Sequence, residues 1–235
     1  MKKRIQMELS PLLEAAKKGD LKKVSELVSQ GVDINETSKN GATALIYAAE
    51  NSHLNVVKYL VEEGADPSLE TKMGGTVLSR AAESGNTEMI EYLLKNGAPV
   101  GDMALIVASR EGHLNEVKML AEAGANIDAR QRWGQTALML ASREGHTNIV
   151  KYLLDRGANV RLRDKNENTA ISIALDNENP DIAQLLRRAG AKIQKPKVTS
   201  PIVEEEEDEN EGSDVEDLIE DSDDMPDDVD LDEEL

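Results

Sequence analysis

The chain has 235 residues, with 46 acidic and 27 basic side chains and a formal net charge of −19. Residues 196–235 hold 20 of the acidic residues but only one Lys, so residues 1–195 carry 26 acidic and 26 basic side chains. A neutral body argues against a general nucleic-acid surface, which needs clustered Lys and Arg to displace the counterions of the phosphates.

The absence of cysteine excludes disulfides, thiolate metal ligands and a Cys nucleophile. The basic residues 1–4 are not followed by an apolar run, so we expect no secretory signal. No stretch approaches the ~20 apolar residues of a membrane span. We therefore expect a cytoplasmic protein without membrane contact, small enough for nuclear entry as well.

Two columns of residues repeat along the chain with one period. Glycines at positions 31, 64, 97, 124, 157 and 190 are separated by 33, 33, 27, 33 and 33 residues. The same five intervals separate a column of apolar residues: Leu12, Leu45, Leu78, Leu105, Leu138 and Ile171. A 33-residue period is typical of a solenoid of stacked repeats, and such folds usually bind macromolecules rather than catalyse.

Residues 40–67 show why each unit folds as two helices. Ala48 and Ala49 lie on one face of a short first helix and allow a neighbouring helix to approach closely. Apolar residues at helical spacing within 56–61 form the stripe of a second helix. Gly64 ends that helix, because glycine readily adopts the left-handed conformation just after a helix. Neither helix can bury its apolar face alone, so the units must stack.

This pattern resembles the ankyrin repeat over residues 8–194. The family's Gly-His turn is kept at residues 112–113 and 145–146 and half kept at 52–53. The signature His of the T-P-L-H motif is absent from every unit, which should weaken the Thr–His hydrogen bond that the family uses. The six counterparts of that motif are Ser10-Pro11-Leu12-Leu13, Thr43-Ala44-Leu45-Ile46, Thr76-Val77-Leu78-Ser79, Met103-Ala104-Leu105-Ile106, Thr136-Ala137-Leu138-Met139 and Thr169-Ala170-Ile171-Ser172.

The resemblance implies an all-α ankyrin-repeat solenoid of stacked helix–turn–helix units with short β-hairpin fingers and a concave face. We expect an N-terminal extension at 1–7, the repeat domain at 8–195 and a disordered acidic tail at 196–235. The first unit is a polar cap that carries four lysines, and the last is a cap that ends in two arginines. The six units span about 8–35, 36–68, 69–101, 102–128, 129–161 and 162–194.

One connection is shorter than the others. From Gly97 to Leu105 is 8 residues, whereas from Gly64 to Leu78 is 14. The six missing residues correspond to the finger between the third and fourth units, so we predict a short loop through residues 99–101 and a notch in the row of fingers. Neutral drift of a loop would explain the deletion, and room for a protruding element of a partner is the alternative.

Ankyrin stacks usually contact partners through finger tips and exposed inner-helix positions, so the resemblance implies where a partner binds. One finger column is wholly basic, and Arg residues become more frequent toward the C-terminal half. Arg favours bidentate contact with carboxylates, although a solvated basic column is also common in the family. The partner-binding residues predicted in this way are Lys39, Lys72, Arg110, Arg130, Arg132, Trp133, Arg143, Arg163 and Lys165.

Trp133 is the only Trp in a chain that has no Phe. Its repeat equivalents Asn40, Met73 and Asn166 are all finger-tip positions, where a side chain has no core to fill. Because Trp is over-represented among binding hot spots, we expect a contact with a partner. The alternative is that the indole lies flat over Arg stems of its own stack.

No set of residues points to catalysis, a metal or a cofactor. His53, His113 and His146 occupy the same turn of different units, so they cannot converge on one metal ion, and we expect them to be structural. The chain lacks a P-loop, a dinucleotide fingerprint, H-E-x-x-H and G-x-S-x-G. We therefore predict that the protein is not an enzyme and requires no cofactor.

The acidic tail follows a proline-bounded linker at residues 196–201. An acidic segment with almost no aromatic residues cannot bury enough apolar surface to offset the entropy of ordering it, so we predict disorder for the tail. Val215, Leu218 and Ile219 are spaced to form a small apolar face if the segment becomes helical on a partner. The alternative is a solubilising tail without a specific partner.

The sequence leaves three functions open. The first is a monomeric adaptor or scaffold that binds another protein on its finger and inner-helix face, without direct contact with nucleic acid. The second is an acidic-tailed escort for a basic client, such as a ribosomal protein or a histone, which predicts salt-dependent binding that disappears with the tail. The third is autoinhibition by the tail, which predicts that deleting the tail strengthens binding.

Overall fold

The computed structural model describes residues 9–192, in which twelve short helices alternate with turns. The expected N-terminal extension at 1–7 and the expected disordered tail at 196–235 lie outside these residues. The helices form six consecutive pairs: α1 (Pro11–Lys18) with α2 (Leu21–Ser29), α3 (Ala44–Glu50) with α4 (Leu54–Glu62), α5 (Val77–Glu83) with α6 (Thr87–Lys95), α7 (Asp102–Glu111) with α8 (Leu114–Glu122), α9 (Ala137–Arg143) with α10 (Thr147–Asp155), and α11 (Ala170–Asp176) with α12 (Pro180–Arg188).

The helices stack in two layers, an inner layer of odd-numbered helices and an outer layer of even-numbered helices. Each odd-numbered helix packs against the next odd-numbered helix, and the even-numbered helices pack on one another in the same order. The predicted all-α solenoid is therefore confirmed for the described chain. The apolar column that revealed the period lies between the layers, since every member is at most 2 % exposed: Leu12, Leu45, Leu78, Leu105, Leu138 and Ile171.

Most inner-layer helices begin at a Ser or Thr whose hydroxyl caps the first turn. The hydroxyl oxygens of Thr43 and Thr136 accept a hydrogen bond from the backbone N–H three residues later. At Thr76 the capping is reciprocal, because the hydroxyl of Ser79, at the family's His position, also accepts from the Thr76 N–H. Serine thus supplies a second hydrogen bond in a unit that lacks the signature His.

The fourth unit begins differently because Met103 replaces the capping Thr. Without a capping hydroxyl at this position, helix α7 extends further toward its N-terminus and begins at Asp102, with Gly101 as its N-cap. At the other end of each unit the predicted glycine termination is confirmed. All six repeat glycines have φ between 80° and 98°, the left-handed region that Gly64 and its equivalents were expected to adopt.

The fingers are tight turns rather than strands in the described chain. A backbone hydrogen bond of 2.9–3.0 Å closes each finger at its base, for example from the Thr71 N–H to the Gly75 carbonyl oxygen, and a second one lies within the turn. The only β-bridge among residues 9–192 joins Thr37 and Thr43. We name the fingers in chain order: the first, second, third and fourth fingers are residues 37–43, 70–75, 130–135 and 163–168.

No finger precedes α7. Residues 98–101 connect α6 to α7 directly, closed by a hydrogen bond from the Gly101 N–H to the Pro99 carbonyl oxygen at 3.0 Å. The short loop predicted from the missing six residues is therefore present. We call the resulting gap between the second and third fingers the notch. The inner layer is continuous beneath it, since α5 packs directly on α7.

Candidate protein-binding surface

The four fingers and the exposed sides of the odd-numbered helices form one surface, which we call the finger face. Its two most exposed large apolar side chains are Met73, which is 70 % exposed, and Trp133, which is 63 % exposed. Both occupy the tip of a finger, where the first and fourth fingers carry Asn40 and Asn166. The three cation–π contacts found within residues 9–192 involve Tyr47, Tyr92 and Tyr152.

The predicted finger cations fall into two groups. Lys72, Arg132 and Lys165 are exposed, and their side chains form no ion pair or hydrogen bond within residues 9–192. Lys39 is exposed in the first finger. The three unpaired cations can therefore receive a carboxylate from a partner without breaking an internal bond.

Arg130 and Arg163 hold the fingers together instead. The Nη2 of Arg130 donates to the Arg163 carbonyl oxygen, and its Nε donates to the Gly134 carbonyl oxygen at 3.2 Å. The Nη1 of Arg163 donates to the Glu167 carbonyl oxygen at 2.6 Å. These two guanidinium groups satisfy backbone carbonyls of the third and fourth fingers, so their first role is to fix finger geometry.

The predicted inner-helix arginines are also engaged. Arg110 is half-buried, with Nε 2.6 Å from a Glu111 carboxylate oxygen and Nη2 3.2 Å from Glu83. Arg143 pairs with Glu144 at 2.8 Å. Stacking places Glu83 beside Arg110, whereas Glu111 and Glu144 directly follow the arginines that they pair with, so Arg110 and Arg143 add little uncompensated charge to the finger face.

Sequence reasoning missed Arg80. Its guanidinium pairs with Glu83 at 2.8 Å through Nη1, while its buried Nε has no hydrogen-bond partner in the described chain. A signal was available, because the same inner-helix position holds Tyr47, Val107 and Leu140 in neighbouring units. Arg80 is therefore a cation at a position that is apolar in those three units.

The histidines link consecutive units, in agreement with the structural role expected of them. The Nε2 atom of His53 lies 3.1 Å from the carbonyl oxygen of Lys17 in the preceding unit, and His146 lies 2.8 Å from that of Arg110. Since a carbonyl oxygen only accepts, each ring must carry its proton on Nε2. His113 makes the equivalent contact to Glu83 at 3.3 Å.

Two cavities lie at the ends of the described stack. One of about 380 Å³ is bordered by Leu9, Tyr47 and the first finger. The other, of about 360 Å³, is lined in part by Arg161, Arg163 and Lys192. Each touches a terminal part of residues 9–192, and neither contains a catalytic constellation.

Residues 9–192 contain no group of three or more His, Asp or Glu side chains placed to hold a metal ion. Over the same residues, none of the helices has the length and apolar character needed to cross a membrane.

Comparison with known families gives the same architecture. The family model described as ankyrin repeats (3 copies) matches residues 12–104 and again residues 105–197. The chain belongs to the ankyrin-repeat family. Ankyrin repeats generally mediate protein–protein interaction and are typically non-catalytic binding modules. Among curated proteins, none matched the chain.

Two solved structures illustrate what this ankyrin-repeat protein resembles. The human ASB11 ankyrin repeat domain has a TM-score of 0.70 at 30 % identity, over 80 % of this chain and 86 % of that one. A chain in the complex of the predatory endopeptidase Bd0816 from Bdellovibrio bacteriovorus with immunity protein Bd3460 has a TM-score of 0.68 at 29 % identity. That match covers 77 % of this chain and 98 % of the other.

Proposed function

We propose that this ankyrin-repeat protein is a cytoplasmic, non-catalytic adaptor that binds a partner protein on its finger face. Trp133 carries the proposal: its side chain is 63 % exposed at a finger tip and directly follows the unpaired cation Arg132. An exposed Trp beside Arg is the composition most enriched among interface hot spots. The resemblance to a chain from an endopeptidase–immunity protein complex supports a protein as the ligand class.

The electrostatics of the finger face favour a partner segment that carries carboxylates. Lys72, Arg132 and Lys165 are spread over three fingers, and no acidic side chain of the described residues neutralises them. Such cations speed encounter with an acidic surface and set its register more than they add affinity. The apolar tips at positions 73 and 133 would then supply most of the binding free energy.

The test is a paired affinity capture from native lysate, with the full-length chain and residues 1–195 as baits at low and high salt. Two variants of the full-length bait, Trp133→Asn and Arg132→Ala, remove the expected contacts. The matched control is Lys118→Ala, which removes an exposed cation from the outer-layer helix α8. We expect the partner to remain on residues 1–195 and on the control, to be lost from Trp133→Asn, and to be captured less by Arg132→Ala.

The second candidate function is an escort for a basic client, and charge segregation is the observation that favours it. Residues 196–235 carry 20 acidic side chains and one Lys, while residues 1–195 are formally neutral. The same capture separates the two functions. Basic proteins that are held only by the full-length chain, only at low salt and regardless of Trp133 would support the escort and contradict the adaptor. Stronger capture by residues 1–195 would indicate inhibition by the tail.

A further inference from the structure

The fingers of this protein are joined in pairs by one recurring backbone hydrogen bond. The carbonyl oxygen of a tip residue accepts from an N–H of the following finger. The Lys72 N–H donates to the Asn40 carbonyl oxygen at 2.8 Å, and the Lys165 N–H donates to the Trp133 carbonyl oxygen at 2.9 Å. The first and second fingers therefore form one pair, and the third and fourth form another.

The notch interrupts this ladder inside the row. By position, the second finger offers the Met73 carbonyl oxygen and the third finger offers the Arg132 N–H. Neither group has a hydrogen-bond partner within residues 9–192. The finger absent before α7 would have accepted from one of these groups and donated to the other. Its deletion leaves one acceptor and one donor available on opposite sides of the same gap.

The side chains beside the notch are unusual for turns. Asn, Gly, Asp and Ser dominate tight turns because of their backbone preferences, and the fingers remote from the notch have Asn40 and Asn166 at their tips. The two fingers that flank it carry Met73 and Trp133 instead. Single exposed apolar residues are ordinary, but these are the two most exposed large apolar side chains of residues 9–192 and share one repeat position.

Arg80 places a cation at the base of the second finger, beside the notch. The Nη2 of Arg80 lies so close to the finger that a Cβ on Gly75 would fall 3.2 Å from it. Arg80 uses only Nη1 for its pair with Glu83. Lys72 and Arg132 form no ion pair in the described chain, whereas the charge of Arg80 is shared with Glu83; Glu70 and Asp102 are the exposed carboxylates of the same segments.

We propose that a loop of the partner protein fills the notch as a surrogate finger. A turn of that loop would donate a backbone N–H to the Met73 carbonyl oxygen and accept from the Arg132 N–H, completing the ladder. An acidic side chain on the loop would reach Lys72, Arg80 or Arg132, and its apolar atoms would pack between Met73 and Trp133. The inference rests on the proposed function and specifies where on the finger face the partner inserts.

The occupant follows from the chemistry of the notch. Backbone pairing requires a polypeptide, because completing the ladder takes an N–H donor and a carbonyl acceptor at finger spacing. A regular helix cannot supply them, since its backbone groups are already bonded to one another. The cations select a loop with Asp or Glu rather than a basic one.

The experiment uses the full chain and a phage-displayed library of disulfide-closed peptide loops. Selected loops are synthesised and titrated while the fluorescence of Trp133, the only Trp in the chain, is followed. Amide hydrogen exchange at Arg132 is measured by NMR with and without the loop. In the notch-filled variant, residues 98–103 are replaced by a copy of the chain's own residues 32–43, which restores the spacing of the other units.

We expect selected loops to be acidic with an apolar residue, to alter Trp133 fluorescence and to slow exchange of the Arg132 amide. Their affinity should fall by about tenfold or more in the notch-filled variant. Because that variant can misfold, circular dichroism and thermal unfolding accompany it. The double variant Met73→Asn with Trp133→Asn gives an independent loss, measured by calorimetric titration because this variant has no Trp, while Asn166→Ala at a remote tip leaves affinity unchanged.

Several outcomes would overturn the inference. Loops that bind a folded notch-filled variant as well as the native chain place the site elsewhere on the finger face. If Trp133→Asn nevertheless weakens the binding of those loops, the partner still binds the finger face, and only the insertion into the notch is rejected. A selection that enriches no loop, or only basic loops, rejects the surrogate finger. Self-association of the native chain that the filled notch abolishes would make a second copy the occupant and reject the partner loop.

Discussion

The imidazole ring of His146 lies against Gly112 of the preceding unit. A Cβ added to Gly112 would fall 2.7 Å from the ring Cε1, a distance that side-chain atoms do not tolerate. The glycine has φ 85°, so it satisfies two requirements at once: a left-handed turn and space for the ring that follows. The Gly-His turn is thus a contact between successive units, since each His packs on the glycine of the unit before.

Replacing Gly112 by Ala should destabilise the stack more than the backbone alone requires. The left-handed conformation costs a residue with a Cβ about 1–2 kcal/mol, and the clash with His146 adds to it. Gly157→Ala is the matched control, because Gly157 has φ 84° and no atom within 4 Å of the added Cβ. Urea unfolding measures both changes in the free energy of unfolding, and equal losses would contradict a role for the ring.

The equivalent turn of the second unit has Ser52 in place of glycine. Ser52 holds φ 59°, and the following unit carries Asn86 where others carry His. Because Ser52 is strained and no ring packs on it, Ser52→Gly should raise the free energy of unfolding by about 0.5–1 kcal/mol, after the extra entropy of an unfolded glycine is subtracted. Urea denaturation of the single variant checks the sign.

A double-mutant cycle tests the pairing itself. Asn86→His should destabilise the native chain, since the ring meets the Ser52 Cβ and the Asn86 hydrogen bond to the Met89 N–H is lost. In the Ser52→Gly background the same change should cost less, because the ring gains the space that Gly112 gives His146. The coupling free energy is the readout. Purely additive effects would show that the two positions do not contact.

The sequence predicted the features that follow from the repeat period, but not the side-chain pairs that form only when the units stack. The column of Leu45 and its equivalents, and the termination at Gly64, follow from periodicity and backbone preference, and both were confirmed. Which arginines are free could not be read in this way. Arg110 pairs with Glu83, 27 residues earlier, only because α5 packs on α7. Arg130 likewise resembles Arg132 in sequence, but the stack directs it to the Arg163 carbonyl oxygen.

A buried hydroxyl offers a stabilising substitution. The Oγ of Ser109 is buried in α7 without a hydrogen-bond partner among the described residues, whereas Ser142, its repeat equivalent, donates to the Leu138 carbonyl oxygen at 2.7 Å. Burying an unpaired hydroxyl costs about 1–3 kcal/mol, and Ala82 already fills the same position in the preceding unit. Ser109→Ala should therefore raise the free energy of unfolding by about 1 kcal/mol or more.

Ser142→Ala is the control for that substitution, because it removes a hydroxyl of the same burial that does have a partner. We expect it to be neutral or to lower stability by about 0.5–1.5 kcal/mol. Chemical denaturation of both variants gives the comparison. A loss of stability in Ser109→Ala would show that its hydroxyl does have a partner in solution, such as a bound water.

The charge around Trp133 can be measured without a partner. Trp133 is exposed and is the only source of indole fluorescence, so a small ionic quencher samples its surroundings directly. Because Arg132 is uncompensated in the described chain, iodide should accumulate at the tip and caesium should be repelled. A unit charge a few ångströms away in water is worth about 1 kcal/mol, or several-fold in local ion concentration.

Iodide should therefore quench Trp133 fluorescence several-fold better than caesium at low ionic strength. Arg132→Ala should reduce that ratio, while Lys118→Ala on the outer layer should leave it unchanged. Equal quenching by the two ions in the native chain would show that the third finger attracts no carboxylate, which would remove the electrostatic basis for an acidic partner.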